Sequence, residues 1–139
     1  MTTDATAGHR PRLIIADDDP VIRSMLGMAL NGGFEVVGVA SDTEEVIELA
    51  RVSQPDAAVV DVDMPKGGGM GAVRGILEVA PGTAIVVLSG DETDRLVREL
   101  MQAGAVAYCR KGITPHVLAE SLTESIEAHV DGRLALARS

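Results

Sequence analysis

Ala57-Ala58-Val59-Val60-Asp61-Val62-Asp63-Met64-Pro65 decides the fold. Its first four residues are small or β-branched and wholly apolar, which suits a central strand buried on both faces. The strand ends on a carboxylate, Asp61. Pro65 and Gly67-Gly68-Gly69 then interrupt regular structure. A charge at the mouth of a buried strand is costly unless something pairs with it. In open α/β sheets the same edge is where ligands bind. Taken alone, Asp61 also fits a solvated turn residue. The residues at three other strand ends argue against that.

Upstream, Arg12 to Ala16 is a short apolar strand running straight into Asp17-Asp18-Asp19-Pro20. Pro20 suits a first helical turn with Asp19 as its cap. Val21, Ile22, Met25, Leu26, Ala29 and Leu30 recur at helical spacing until Asn31-Gly32-Gly33. Phe34 to Ala40 is a second strand. Ser41-Asp42-Thr43-Glu44 has the form of a capping box and opens a helix with Val46, Ile47, Leu49 and Ala50 on its inner side. Gln54-Pro55 ends that helix.

Downstream of Asp61, the spacing predicts a helix over 69–80 and a strand over 83–88 closing on Ser89-Gly90. A helix over 91–103 follows, with acids in its first turn. A strand over 105–109 leads to Arg110-Lys111-Gly112. A last helix starts at Thr114-Pro115, carries Val117, Leu118, Leu122 and Ile126 inward, and stops at Asp131-Gly132. Residues 1–11 read as a disordered arm, 12–131 as one domain and 132–139 as a tail or the start of a linker. Five strands alternating with five helices imply an α/β fold, a parallel sheet with helices on both faces. Right-handed crossovers leave few topologies.

Composition narrows the function. The chain has 139 residues, enough for one core. Its core must be built from Val, Ile, Leu, Ala and Met, because there is one Phe, one Tyr and no Trp. The net charge of −9 argues against direct binding of nucleic acid or an anionic membrane. Cys109 is the single cysteine, so there is neither an internal disulfide nor a cysteine metal cluster. Met1 to His9 lacks the apolar run of a signal peptide, and no stretch is long enough to span a bilayer. A cytoplasmic location is expected.

The strand ends share one edge of a parallel sheet. They carry Asp17 and Asp18, Asp61, Ser89, and Lys111. Clustered carboxylates raise each other's pKa, and a hard divalent cation such as Mg²⁺ relieves that with oxygen ligands. Lys111 is a compact charge suited to a phosphoryl oxygen, and the Ser89 hydroxyl can donate to another. Asp61 is then the nucleophile that forms an acyl phosphate, with charge on the transferred group neutralised around it.

With these residues in order, the sequence resembles the receiver domain of bacterial two-component response regulators, from about Leu13 to Val130. Leu13-Ile14-Ile15-Ala16-Asp17-Asp18-Asp19-Pro20 matches the family's acidic pair. Asp61 with Met64-Pro65 matches its phosphoacceptor motif, Ser89-Gly90 its hydroxyl and small residue, Lys111 its lysine and Tyr108 its switch aromatic. The resemblance implies a flavodoxin-like doubly wound sheet of strand order 2-1-3-4-5. It implies a Mg²⁺ site made by Asp17, Asp18, Asp61 and the backbone carbonyl of Asp63. A partner histidine kinase would phosphorylate Asp61. Ser89 would then swing to the phosphoryl group and Tyr108 turn inward, biasing two pre-existing states. The changed surface would control an output domain or a downstream protein, and a homodimer is compatible with this.

Gly112 departs from the family, which usually has Pro there, so the loop presenting Lys111 is expected to be looser. Asp63 and Asp91 occupy positions that tune phosphoryl lifetime in the family. Simpler readings exist for each residue: Ser89 as a helix cap, Lys111 as a snorkelling surface lysine, Tyr108 as an ordinary strand residue. Gly67 to Gly71 reads as a mobile loop, since no Lys-Ser/Thr follows it. His9, His116 and His129 read as solvent-facing, Cys109 as a small core residue, and Asp42, Glu44, Glu45 and Glu48 as a solvated helix face. Two rival functions follow. One is a pseudo-receiver that binds proteins without phosphorylation. The other is a phosphatase of the haloacid-dehalogenase type, with Asp61-Val62-Asp63 as its Asp-x-Asp. That family places its motif on the first strand, and no cap domain is evident here. No output domain follows Val130, which fits a free-standing receiver or a piece of a longer regulator.

Overall fold

Adjacent residues on the central strands are buried to opposite sides, and that alternation explains the layered architecture. The computed structural model describes residues 9–90 and 94–137. Its elements in chain order are β1 (Arg12–Ala16), α1 (Pro20–Leu30), β2 (Glu35–Ala40), α2 (Thr43–Ser53), β3 (Ala57–Asp61), α3 (Gly68–Val79), β4 (Ala84–Ser89), α4 (Asp94–Ala103), β5 (Ala107–Arg110) and α5 (Pro115–Ala137). The strands form one parallel sheet in the order β2-β1-β3-β4-β5.

Ile14, Ala58, Val60, Ile85 and Val87 point to one face, where they meet Val46 and Ala50 of α2, Ala72, Val73 and Ile76 of α3, and Leu100 of α4. Leu13, Ile15, Val59, Val86 and Leu88 point to the other, where they meet Leu26 and Leu30 of α1 and Leu118 and Leu122 of α5. A one-residue slip would exchange the two cores. β3 is buried at every position, as its unbroken apolar run requires.

Several local expectations shift. The N-cap of α2 is Asp42, one residue later than a box opening on Ser41. Its side chain accepts from the Glu45 N–H, and Glu45 reaches back to the Ser41 N–H. Asp42 is therefore part of the helix start rather than a merely solvated acid. Gly68 to Gly71 is the first turn of α3, not a loop. Gly69 is buried there, and a Cβ on it would lie 2.9 Å from the Val62 Cα, so only glycine lets this turn close on the strand exit.

In α1 the stripe facing the sheet is Ile22, Leu26 and Leu30, while Val21, Met25 and Ala29 are exposed beside it. Val117 of α5 is likewise exposed. The last helix does not stop at Asp131-Gly132 but runs on to Ala137. His129 is half-buried and bonds the Pro81 carbonyl through Nε2, tying α5 to the α3–β4 turn. Residues 1–8 of the expected arm lie outside the described residues, as does Asp91. Arg10 and Pro11 are anchored, by bonds to the Asn31 carbonyl and from the Glu35 N–H.

Candidate functional site

The C-terminal ends of β1 and β3 border the point where strand order reverses, and there the loops diverge to leave a crevice. β1 delivers Asp17, only 1 % exposed. Its N–H is paired to the Ala40 carbonyl, its Oδ1 accepts from the Asp19 N–H at 2.9 Å, and its carbonyl accepts from Arg23 of α1 at 2.8 Å. Asp19 turns the chain into α1 by accepting from the Val21 N–H. Asp18, between them, is exposed.

β3 delivers Asp61, fully buried. Its two oxygens differ. Oδ1 contacts Lys111 Nζ at 2.9 Å and accepts from the Asp63 N–H at 3.1 Å. Oδ2 is buried without a partner, as is Asp17 Oδ2. Buried polar atoms nearly always have partners, so this pair of orphan oxygens marks a place built for something else. One carboxylate oxygen from each of Asp17, Asp18 and Asp61 lies within 4.8 Å of the other two. Three anionic oxygen donors so close suit a hard divalent cation.

The electrostatics agree. Burial pushes the Asp17 carboxyl above its ordinary value; the Asp19 N–H pulls it back, and the Asp61 charge pushes it further up. Burial alone would lower the Lys111 ammonium, but the Asp61 carboxylate in contact with it outweighs that and holds it above the usual lysine value. The cation side of the site is therefore always charged at neutral pH.

The remaining expected residues are placed as follows. Ser89, at the end of β4, is buried, and its carbonyl accepts from the Lys111 N–H at 3.0 Å. Tyr108 on β5 pairs in register with Val87 and is half-buried against the core. Asp63 is exposed at the rim. Gly112 has φ +95°, a conformation closed to proline, whose φ is fixed near −65°. The departure at this position thus changes the path of the turn, and Lys111 still reaches Asp61. A cavity of about 100 Å³ opens beside Asp17 and Lys111, walled by Ile22, Met25, Leu88 and Ile113.

The profile of the response regulator receiver domain matches residues 13–123. The chain belongs to the response regulator receiver domain family. This receiver is 41% identical over 113 residues to the transcriptional regulatory protein PdtaR of Mycobacterium tuberculosis, covering 79% of this chain and 54% of that one. It is 31% identical over 114 residues to the chemotaxis protein CheY of Thermotoga maritima, covering 81% of this chain and 95% of that one. Among solved structures, the signal receiver domain of the response regulator NarL from Mycobacterium tuberculosis matches with a TM-score of 0.81 at 25% identity, over 86% of this chain and 98% of the other. The receiver spans about half the length of PdtaR and of the uncharacterized transcriptional regulatory protein YxjL of Bacillus subtilis. Among the described residues no helix is long and apolar enough to cross a membrane.

Three residues at the receiver's site have no sequence signal of their own. Arg23 reads as an exposed helix residue, yet it grips the Asp17 carbonyl. Lys66 takes φ +66°, a conformation costing a non-glycine residue about 1–3 kcal/mol, and its ammonium lies 3.6 Å from Asp42 and 3.5 Å from Glu44. Those two acids hold it above its ordinary pKa. Thr43, at the start of α2, bonds the loop after Asp61. Thr43 and Lys66 act across more than twenty residues of sequence, which local pattern cannot reveal, and Arg23 reaches back six residues around a turn.

Proposed function

We propose that this receiver is a phosphorylation-activated switch in which Asp61 accepts a phosphoryl group from a partner histidine kinase. The observation that carries the reading is the Asp61 carboxylate itself: one oxygen is tied to Lys111, the other is buried and unpartnered, and the carboxylate sits within 4.8 Å of those of Asp17 and Asp18. A carboxylate oxygen with no hydrogen-bond partner keeps its lone pairs available for attack on an electrophile.

Asp17, Asp18, Asp61 and the Asp63 carbonyl would hold Mg²⁺, which when bound neutralises charge on the phosphoryl oxygens. In the transfer, an Asp61 oxygen attacks phosphorus as the phosphorus–nitrogen bond to the donor histidine breaks, and the imidazole leaves. The Lys111 ammonium shifts its contact from the carboxylate to a phosphoryl oxygen. The Ser89 hydroxyl donates to another, and Tyr108 follows inward. Water later cleaves the acyl phosphate and restores Asp61, so the chain catalyses its own phosphorylation and dephosphorylation without acting on a separate substrate. The altered surface then acts on an output domain, a downstream protein or a second copy of the chain. The charge of −9 goes with protein partners rather than nucleic acid, and a cytoplasmic location goes with the kinase. No observation favours the pseudo-receiver or the phosphatase.

The test is the intact mass after incubation with acetyl phosphate and Mg²⁺. One phosphoryl adduct is expected on the wild type and none on Asp61→Ala. An unmodified wild type that also leaves the donor intact would defeat the proposal.

A further inference from the structure

The loop that leaves Asp61 has an unusual backbone. Lys66, Gly67 and Gly68 take φ of +66°, +130° and +63° in succession. Pro65, Lys66 and Gly67 are exposed, so the core does not impose this path on them. Gly67 and Gly68 take such angles freely, but the Lys66 conformation persists only where neighbouring structure holds it.

Thr43 supplies that restraint from another element. It is 3 % exposed. Its N–H donates to the Pro65 carbonyl at 3.2 Å, and its hydroxyl donates to the Gly68 carbonyl at 3.0 Å. The two bonds grip the loop on both sides of the left-handed run. A Cβ on Gly67 would come to 3.2 Å of the Thr43 methyl, so the loop lies closely over this side chain. The Lys66 pairs with Asp42 and Glu44 span the same gap, but Lys66 and Glu44 are exposed, and ion pairs to an exposed lysine are weak and screened by salt. Met64 is the other anchor, buried just before the run.

We propose that Thr43 is a positioning residue for the phosphoacceptor site: from the start of α2 it holds the Pro65–Gly68 loop, and through it the Asp63 main chain beside Asp61. The inference rests on the receiver reading, in which the Asp63 carbonyl completes the Mg²⁺ ligands. Bonds that orient metal ligands tune metal affinity strongly, and here the restraint reaches Asp63 through the main chain of Met64 and Pro65. The residue type matters: an alanine or valine at the start of α2 would leave the helix intact but free the Gly68 carbonyl.

The test compares wild type, Thr43→Val, Thr43→Ala and Thr43→Ser. Mg²⁺ alone is titrated and read by amide chemical shifts, and amide hydrogen exchange is measured without metal. Thr43→Val keeps the shape and loses the hydroxyl; Thr43→Ala removes the hydroxyl with no bulk in its place. Both are expected to bind Mg²⁺ about tenfold more weakly, with Thr43→Ser within about twofold of wild type. Exchange at the Asp63 and Gly69 amides should rise about tenfold in the valine variant, with β1 and β4 unchanged. Unchanged Mg²⁺ affinity in Thr43→Val and Thr43→Ala would overturn the proposal. So would a serine variant as weak as the valine one. Wild type that binds no Mg²⁺ and takes no phosphoryl group would instead remove the receiver reading beneath it.

Discussion

Asp17 and Asp61 each keep one oxygen without a partner in a buried site, and that arrangement costs stability when no cation is present. Asp17 gives the cleanest measure. Its folded pKa lies above the unfolded value, so between those two values the native state binds more protons than the unfolded state. The penalty is absent below the unfolded pKa and fully in force above the folded one. In chelator, wild type should therefore lose stability relative to Asp17→Asn as pH rises through that window. At neutral pH the asparagine variant should melt higher, by about 1 kcal/mol or about 3–5 °C. Excess Mg²⁺ should reverse the order by raising the wild-type melting temperature alone. Thermal melts of both proteins, with and without Mg²⁺, check this; an asparagine variant that melts lower in chelator would contradict it. The acidic pair and Asp61 were legible as strand-end carboxylates. Their unequal oxygens were not, because Lys111 arrives from 50 residues away.

Helix starts and glycines carry the lesson at the level of elements. Asp19-Pro20 was readable because a cap and a pre-set φ are adjacent in sequence. The α2 cap was readable to within one residue, since Ser41 and Asp42 are both good caps and only the observed bond from Glu45 to Asp42 separates them. The start of α3 was placed within one residue, at Gly69 against the observed Gly68, but the glycines around it also read as a mobile loop, because Gly67 to Gly71 carries no strong local signal for helix. Packing against the β3 exit selects it instead. Two glycine substitutions separate propensity from packing. A Cβ at Gly27, in α1, meets nothing within 4 Å, so Gly27→Ala should stabilise by about 0.5–1 kcal/mol. A Cβ at Gly69 runs into the Val62 backbone, which cannot swing aside as a side chain could, so Gly69→Ala should destabilise by about 1–3 kcal/mol. Denaturant unfolding of the two variants gives both numbers, and equal signs would refute the distinction.

At the scale of the molecule, the sheet is covered on both faces, and its three central strands are sealed by helices and by one another. Opening them requires disrupting both cores. The slowest amide exchange should thus come from Ile14 to Ala16, Ala58 to Val60 and Val86 to Leu88, near the global unfolding limit. The edge strands β2 and β5 should open sooner. Native-state hydrogen exchange resolves this, and β5 amides as protected as those of β3 would count against it. The strand order was legible only in part: alternation of strands and helices dictates a parallel doubly wound sheet, but the 2-1-3-4-5 order came from the resemblance. The extension of α5 to Ala137 was hidden behind Asp131-Gly132, a pair that ends many helices without ending this one.

The scarcity of aromatic rings has an optical consequence. Tyr108 is the only tyrosine, there is no tryptophan, and Phe34 is the only phenylalanine. The two rings lie on opposite faces of the sheet. Tyrosine absorption, dichroism and emission therefore come from one ring on β5, three residues before Lys111. The chain carries a built-in, single-position spectroscopic reporter, and any change around β5 can be watched without attaching a dye.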